Sequence, residues 1–295
     1  MALLGAPLLM GGACEKKTAK PDPGPINALE RENGSASAAP IDTSPLQGID
    51  LGKLEKDKQQ AFYRLVGTLK SPCGKPESLR KSFIDDTSCK RSPFAVRFVS
   101  AMLEDEFPED KIREDYISKY EKPRMVKLDV SRAPRVGTDD APVKIVEFFD
   151  YACPHCKEFK PVLDALAQQY EGKITEYFMM YPLGHWPESK SAAMAAIAAH
   201  QQGKFKEMHA LLFAKSPAHS KADVMGYAAQ LGLDVAKFEA AYTAAAPQVE
   251  QDKVQGNGAS VDSTPSVYFN DRKFEGPITV KYLGMWIEEE LAVNR

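Results

Sequence analysis

The stretch from Val143 to Tyr170 constrains what this chain can fold into more than any other. Val143-Lys-Ile-Val-Glu-Phe-Phe-Asp150 is a nearly continuous apolar run, the pattern of a central strand covered on both faces. It runs directly into Tyr151-Ala-Cys153-Pro-His-Cys156-Lys-Glu-Phe159, after which Phe159, Val162, Leu163, Leu166 and Tyr170 recur at helical spacing. Strand, tight turn, Cys-x-x-Cys and helix follow one another without a linker. Two cysteines so spaced at a helix start lie on one face, close enough to form a disulfide.

That arrangement has a specific chemistry. Cys153 would stand beside the unsatisfied N–H groups and the positive end of the helix dipole, both of which stabilise a thiolate, the species that attacks disulfides. Pro154 suits the first helical turn, and His155 can add a positive charge or a hydrogen bond. A stabilised thiolate makes Cys153 a good leaving group and favours the reduced protein, which makes the pair an oxidant. A zinc knuckle would need two more ligands at knuckle spacing. Cys73 and Cys89 are not so placed, and His155 cannot comfortably share an ion with its flanking cysteines. No metal is expected.

The composition narrows the remaining classes. The 295 residues carry 38 Lys+Arg against 41 Asp+Glu, which leaves no basic excess to neutralise a phosphate backbone, so nucleic-acid binding is not expected. The five cysteines are too few for a disulfide scaffold, and their odd number asks for one separate explanation. Residues 1–14 offer it. Met1 to Ala13 is uncharged, apolar and rich in small residues, and stops at Cys14-Glu-Lys-Lys17. It resembles a bacterial lipoprotein export signal, in which the cysteine after the small residues becomes lipidated. Residues 15–50, with Lys20-Pro-Asp-Pro-Gly-Pro25 and Gly34-Ser-Ala-Ser-Ala-Ala-Pro40, read as a disordered linker with an r.m.s. reach of roughly 30 Å.

A small all-helical module is expected over residues 51–124. Leu54, Phe62, Leu65, Val66 and Leu69 mark a first helix; Ser92-Pro93 opens a second, with Ser92 as N-cap; Pro108-Glu109-Asp110 starts a third. Cys73 and Cys89 lie between the first two. In an exported protein they most simply form a structural disulfide, although a second redox-active pair stays open. The pattern Cys73 to Leu79, Met102 to Ile112 and Tyr116 to Tyr120 is similar to the three-helix thiol-reductase domain of cytochrome c maturation. Lys70 stands where that family has its first cysteine. Residues 125–295 then read as the catalytic domain, opening with Met125 to Val130 as an edge strand and a turn-rich connection from Arg132 to Pro142.

Phe148 to Phe159, with Cys153-Pro-His-Cys156, resembles the DsbA-like branch of the thioredoxin fold. The likeness spans about Val143 to Leu291. Tyr181-Pro-Leu-Gly-His185, the Ala-rich Ser191–Gln202 and Gly203 to Phe213 resemble its helical insertion, expected here at about 185–261, between strands at Ile174 to Tyr181 and Ser266 to Asn270. The resemblance implies an α/β protein, a thioredoxin-like fold with a helical insertion behind the helical module. It implies that Pro265 is cis and faces Cys153, and that Thr264 offers backbone hydrogen bonds to a substrate peptide. It implies that Glu147, six residues before Cys153, is a buried acid that moves a proton to or from Cys156; a strand-end Glu paired with a Lys is the bland alternative. It implies a periplasmic thiol:disulfide oxidoreductase acting on reduced or misoxidised exported proteins, reoxidised by a membrane quinone-linked thiol oxidase, held to the membrane by a lipid anchor and needing no cofactor beyond its own disulfide. Thr264 leaves the direction open, so a reductase or isomerase serving cytochrome c maturation is one alternative. A non-catalytic substrate-binding or chaperone module is another. His185, His200 and His209 read as ordinary polar or partly buried residues, and Asn257, Gly258 and Trp286 carry no evident chemistry.

Overall fold

The computed structural model describes residues 40–294; Cys14 and most of the expected linker lie outside them. Four helices come first: α1 (Lys56–Thr68), α2 (Leu79–Asp85), α3 (Ser92–Glu104) and α4 (Glu109–Tyr116). The helical faces are those set by the apolar spacing, with Phe62, Leu65 and Val66 of α1 buried against Val96, Phe98, Val99 and Met102 of α3. Helix α3 begins one residue earlier than the Ser-Pro signal indicates. Ser92 is not its N-cap but its first residue, because its hydroxyl turns back to donate to the Cys89 carbonyl at 3.0 Å. A disulfide joins Cys73 to Cys89, with the Cα atoms 5.8 Å apart.

The sheet that follows is built from β1 (Arg135–Gly137), β2 (Val143–Phe149), β3 (Ile174–Met180), β4 (Ser266–Phe269) and β5 (Arg272–Lys273), in the order β1-β3-β2-β4-β5. Strands β2 and β3 are parallel, and the remaining pairs are antiparallel. Helix α5 (Pro154–Gln169) connects β2 to β3. Five helices, α6 (Ser189–His200), α7 (Phe205–Lys215), α8 (Lys221–Gln230), α9 (Val235–Ala244) and α10 (Ala246–Gly258), separate β3 from β4, and α11 (Val280–Val293) closes the chain. This is the expected α/β architecture, a thioredoxin-like sheet with a helical insertion.

Three further local expectations change. Met125 to Val130 is not a strand: Met125 bridges Arg272 and Val126 donates to Asp271, but the chain then leaves the sheet. The Gln255 side chain takes the place of a neighbouring strand there, accepting from the Asp129 N–H at 2.8 Å and donating to its carbonyl at 3.0 Å. Strand β1 instead forms inside the turn-rich stretch, where Gly137 passes so close to β3 that a Cβ would lie 2.6 Å from the Ile174 carbonyl. Residues 41–50, assigned by composition to the linker, lie against the helices: Leu46 is buried, and Arg80 donates to Asp42 at 2.9 Å and to the Ser44 carbonyl at 2.8 Å.

The N-terminal helices and the sheet share one core, in which Phe62, Val96 and Tyr116 join Ile145, Leu166, Tyr282 and Trp286. A buried charge cluster sits at this junction. After α4 the chain widens into a π-helical turn, Ile117–Glu121, that turns Lys119 and Tyr120 inward. Glu289 of α11 receives Lys119 at 2.9 Å, the Tyr120 hydroxyl at 2.8 Å and the Arg91 guanidinium. Glu290 receives Arg272 at 2.6 Å and Arg91 at 3.1 Å. The Lys119 ammonium lies 3.6 Å from the centre of the Trp286 ring. Burial alone would raise the Glu289 carboxyl, but Lys119, Arg91 and Arg272 outweigh it and hold it at about 2.

Replacing Glu289 by Gln leaves the buried Lys119 and Arg272 and the half-buried Arg91 with one counter-charge fewer, so unfolding in urea should show a loss of about 3 kcal/mol. Because the folded carboxyl is depressed, its contribution is present above about pH 4.5 and should fade as the pH drops toward 2. A variant as stable as the parent at pH 7 would show that the cluster does not hold the two parts together.

Candidate functional site

The candidate site forms where β2 ends. Asp150 is buried and its carboxylate ties two loops together: one oxygen accepts from Ala152 N–H at 2.9 Å, the other from Leu183 N–H at 2.9 Å. Its carbonyl accepts from the Cys153 N–H at 3.1 Å. The turn so fixed leaves Cys153 as the N-cap of α5 with an extended backbone (φ −74°, ψ 121°) and Pro154 as the first helical residue. Cys153 and Cys156 are both free thiols and both buried, at 4% and 0% exposure. His155 points away into solvent on the same turn, with Nδ1 3.6 Å from the Glu158 carboxylate.

The chain returns to this turn from the far side of the insertion. The Thr264–Pro265 peptide bond is cis, and the Cys153 thiol donates to the Thr264 carbonyl at 3.5 Å. The Thr264 side chain is buried there. A groove of about 360 Å³ beside the dithiol is lined by His155, Phe159, Val162, Thr264, Pro265 and Ile278.

Below the dithiol the surroundings are apolar but not uncharged. Glu147 sits mid-strand between Phe178 on β3 and Val267 on β4, 4% exposed and without a hydrogen bond among the described residues. Burial, and then the neighbouring Glu176 carboxylate, push its carboxyl well above the ordinary range, against the pull of Lys160. Burial and the charge of Glu147 push the Cys156 thiol up. Burial and Asp164 lift Glu176 to about 8. Burial, helped by Lys160, presses His209 down to about 3, so its ring is neutral at pH 7; Nδ1 pairs with the Tyr151 hydroxyl at 2.9 Å. Glu147, Glu176, Lys160 and His209 all line one cavity of about 190 Å³.

The structure therefore brings together Cys153, Pro154, Cys156, Glu147, Thr264 and Pro265, with His155 at the rim. Cys73 and Cys89 are joined to each other, outside this group. Asp150 and Glu176 are the site residues that sequence reasoning passed over, and His209, read there as an ordinary polar or partly buried residue, is buried at the cavity. Glu176 had a readable signal, a single acid in the apolar strand Ile174-Thr-Glu-Tyr-Phe-Met-Met180, the same anomaly that singles out Glu147. Asp150 and His209 had none, since their partners come from distant segments.

Residues 130–289, more than half of the chain, match the family model described as Thioredoxin. This chain belongs to the thioredoxin family. Its fold is DsbA-like: oxidised BdbD from Bacillus subtilis superposes with a TM-score of 0.51 at 25% identity, covering 57% of this chain and 98% of that one. The thiol-disulfide exchange protein alpha-DsbA2 from Wolbachia pipientis has a TM-score of 0.49 at 23% identity, over 59% of this chain and 92% of that one. A stretch of 174 residues, 58% of this chain, is 33% identical to the Na(+)/H(+) antiporter NhaA 3 of Salinispora tropica. The chain spans only 26% of that protein's length, and the cation exchange in its name belongs to that protein. The family and the BdbD likeness support thiol–disulfide oxidoreductase activity in general.

Replacing Asp150 by Ala removes the acceptor for two N–H groups at the base of the dithiol turn. Thermal or urea unfolding should show a loss of about 1–3 kcal/mol, and Asp150→Asn, which keeps one acceptor oxygen, should lose less. Equal stability in both variants would show that the carboxylate does not hold the turn.

Proposed function

We propose that this chain is a periplasmic thiol:disulfide oxidoreductase that introduces or exchanges disulfides in exported proteins through the Cys153–Cys156 pair. The observation that carries the reading is the apposition of Cys153, at the start of α5, with the carbonyl before cis-Pro265. A peptide lying in the adjoining groove can pair with the backbone of Thr264 while presenting a cysteine to Cys153. In the oxidised form a substrate thiolate attacks Cys153 Sγ. The Cys153–Cys156 bond breaks, and Cys156 leaves with the electron pair and takes a proton from Glu147. The substrate's second thiolate then attacks the mixed disulfide, and Cys153 departs as a thiolate facing the free N–H groups of α5.

Glu147 suits the acid role because burial and Glu176 favour its protonated form. His155, exposed on the first turn, supplies a hydrogen bond or charge to the departing sulfur. The disulfide itself carries the two electrons, so we assign no metal or organic cofactor. The reduced pair is returned to the disulfide by a membrane quinone-linked thiol oxidase, and Cys14 anchors the protein to the membrane through lipid. Cys73–Cys89 is assigned as a structural bond: it closes the loop between α1 and α3, with a stabilisation of about 3 kcal/mol in the chain-entropy model.

Cys153→Ser should abolish oxidation of a dithiol peptide, and Cys156→Ser should accumulate a mixed disulfide through Cys153, visible by non-reducing electrophoresis. A reduction potential well above that of thioredoxin, about −270 mV, supports the oxidase direction. A value at or below it makes the protein a reductase, and activity that survives Cys153→Ser removes the exchange reading altogether.

A further inference from the structure

The exchange chemistry proposed above leaves a problem that the fold makes acute: Glu147 gives its proton to Cys156 and, being 4% exposed, regains one through the cavity that it lines. Its carboxylate, once formed, has no hydrogen bond among the described residues to stabilise it. Strand β3 supplies a second acid. Ile145 is in register with Glu176, and Glu147 with Phe178, so the two glutamates are diagonal neighbours on one face of parallel strands. Both line the cavity of about 190 Å³, which has room for several waters at roughly 30 Å³ each. Glu176 is 5% exposed and its Oε1 has no hydrogen-bond partner, a buried acceptor left unpaired at the cavity wall.

The other walls determine which way a proton can travel. Helix α5 contributes Lys160, paired to Asp164 at 2.5 Å, and α7 contributes Lys206 and the neutral His209. His209 Nδ1 is engaged by Tyr151, and the Lys160 ammonium by Asp164. Asp164 and Lys206 are exposed, so the cavity meets solvent on their side, away from the dithiol. Glu147 lines the same cavity, and its charge acts on the Cys156 thiol.

We propose that Glu176 is the proton reservoir of the dithiol, passing a proton through the cavity to Glu147 after Glu147 has protonated Cys156. The step balances without an added reactant. Cys156 Sγ, leaving as a thiolate, takes the Glu147 proton; the Glu147 carboxylate takes one from the Glu176 carboxyl; and the Glu176 carboxylate is reprotonated by water at the Asp164 and Lys206 side. On reoxidation the proton runs the other way. Glu176, with burial and Asp164 lifting its carboxyl to about 8, can both hold and release a proton near neutral pH. Its charge, when present, also helps keep Glu147 protonated.

The test is single-turnover oxidation of a model dithiol peptide by the full chain, followed from about pH 5 to 9. In the parent the rate should fall at high pH as Glu147 loses its proton. Glu176→Gln removes the neighbouring charge, so that fall should begin about one pH unit lower, while Glu176→Asp should keep it within a few tenths of a unit. Glu147→Gln should erase the fall entirely. If Glu147→Gln erases it and Glu176→Gln leaves it in place, the reservoir is overturned and the acid role of Glu147 stands. If neither variant changes the profile, both proton roles are overturned; if Cys153→Ser remains active, the exchange reading goes with them. A purely structural Glu176 would alter stability without moving the profile.

Discussion

The candidate site depends on one constraint: β2 is buried on both faces. Ile145 and Phe149 face cores formed with the helices, and Val146 and Phe148 face a third core with Met179, Tyr181 and Tyr268. Six of its seven residues are buried, Lys144 alone being half-buried, and the cysteine turn hangs from the strand's end. The same burial makes Glu147 a different group from a surface carboxylate. A charge there is 4% exposed and has no hydrogen bond among the described residues, so the protonated acid is favoured and the proton becomes something to hand over. Positioning and acidity have one cause.

The charges around the dithiol are arranged by depth. Cys156 and Glu147 are at the bottom, Glu176 is at the cavity wall, and Lys160 and Asp164 form a pair whose acid reaches solvent. Lys160 is the cation that pulls on both glutamates, and it is already paired. His209, which could have offered a second positive charge, is packed among Phe149, Phe178, Phe205 and Phe213 and stays neutral. Glu147 therefore faces a pocket that accepts protons more readily than it accepts charge. That suits a reaction in which a buried thiolate forms and must be neutralised.

Legibility in the sequence followed contact distance. The strand, turn and helix around Cys153 are local, written in an apolar run, a Cys-x-x-Cys and a helical repeat, and the fold class follows from them. Pro265 could be placed only through the family resemblance, because its contact with Cys153 spans more than a hundred residues. The misread segments share a cause. Met125 to Val130 alternates like a strand, but a glutamine from α10 satisfies its backbone; residues 41–50 look like linker, but Arg80 and the helices hold them. Ser92 carries the cap signature, but the turn made by the disulfide-bonded Cys89 offers its hydroxyl a nearer acceptor. In the first two cases a long-range partner overrode a correct local preference; at Ser92 the competing acceptor is itself local, three residues back.

The charge cluster on α11 bears on how the chain can be divided. Glu289 and Glu290 belong to the last helix of the family domain, yet Arg91 and Lys119 come from the helical segment that precedes that domain by sequence. A cut at the family boundary, near residue 130, would remove Arg91 and Lys119, leave Arg272 as the remaining cation of this cluster, and uncover the apolar face of Tyr282, Leu283 and Trp286. The N-terminal helices are in this sense the counter-ion half of the domain rather than an accessory to it. The core that the dithiol domain packs into is longer in sequence than the family match.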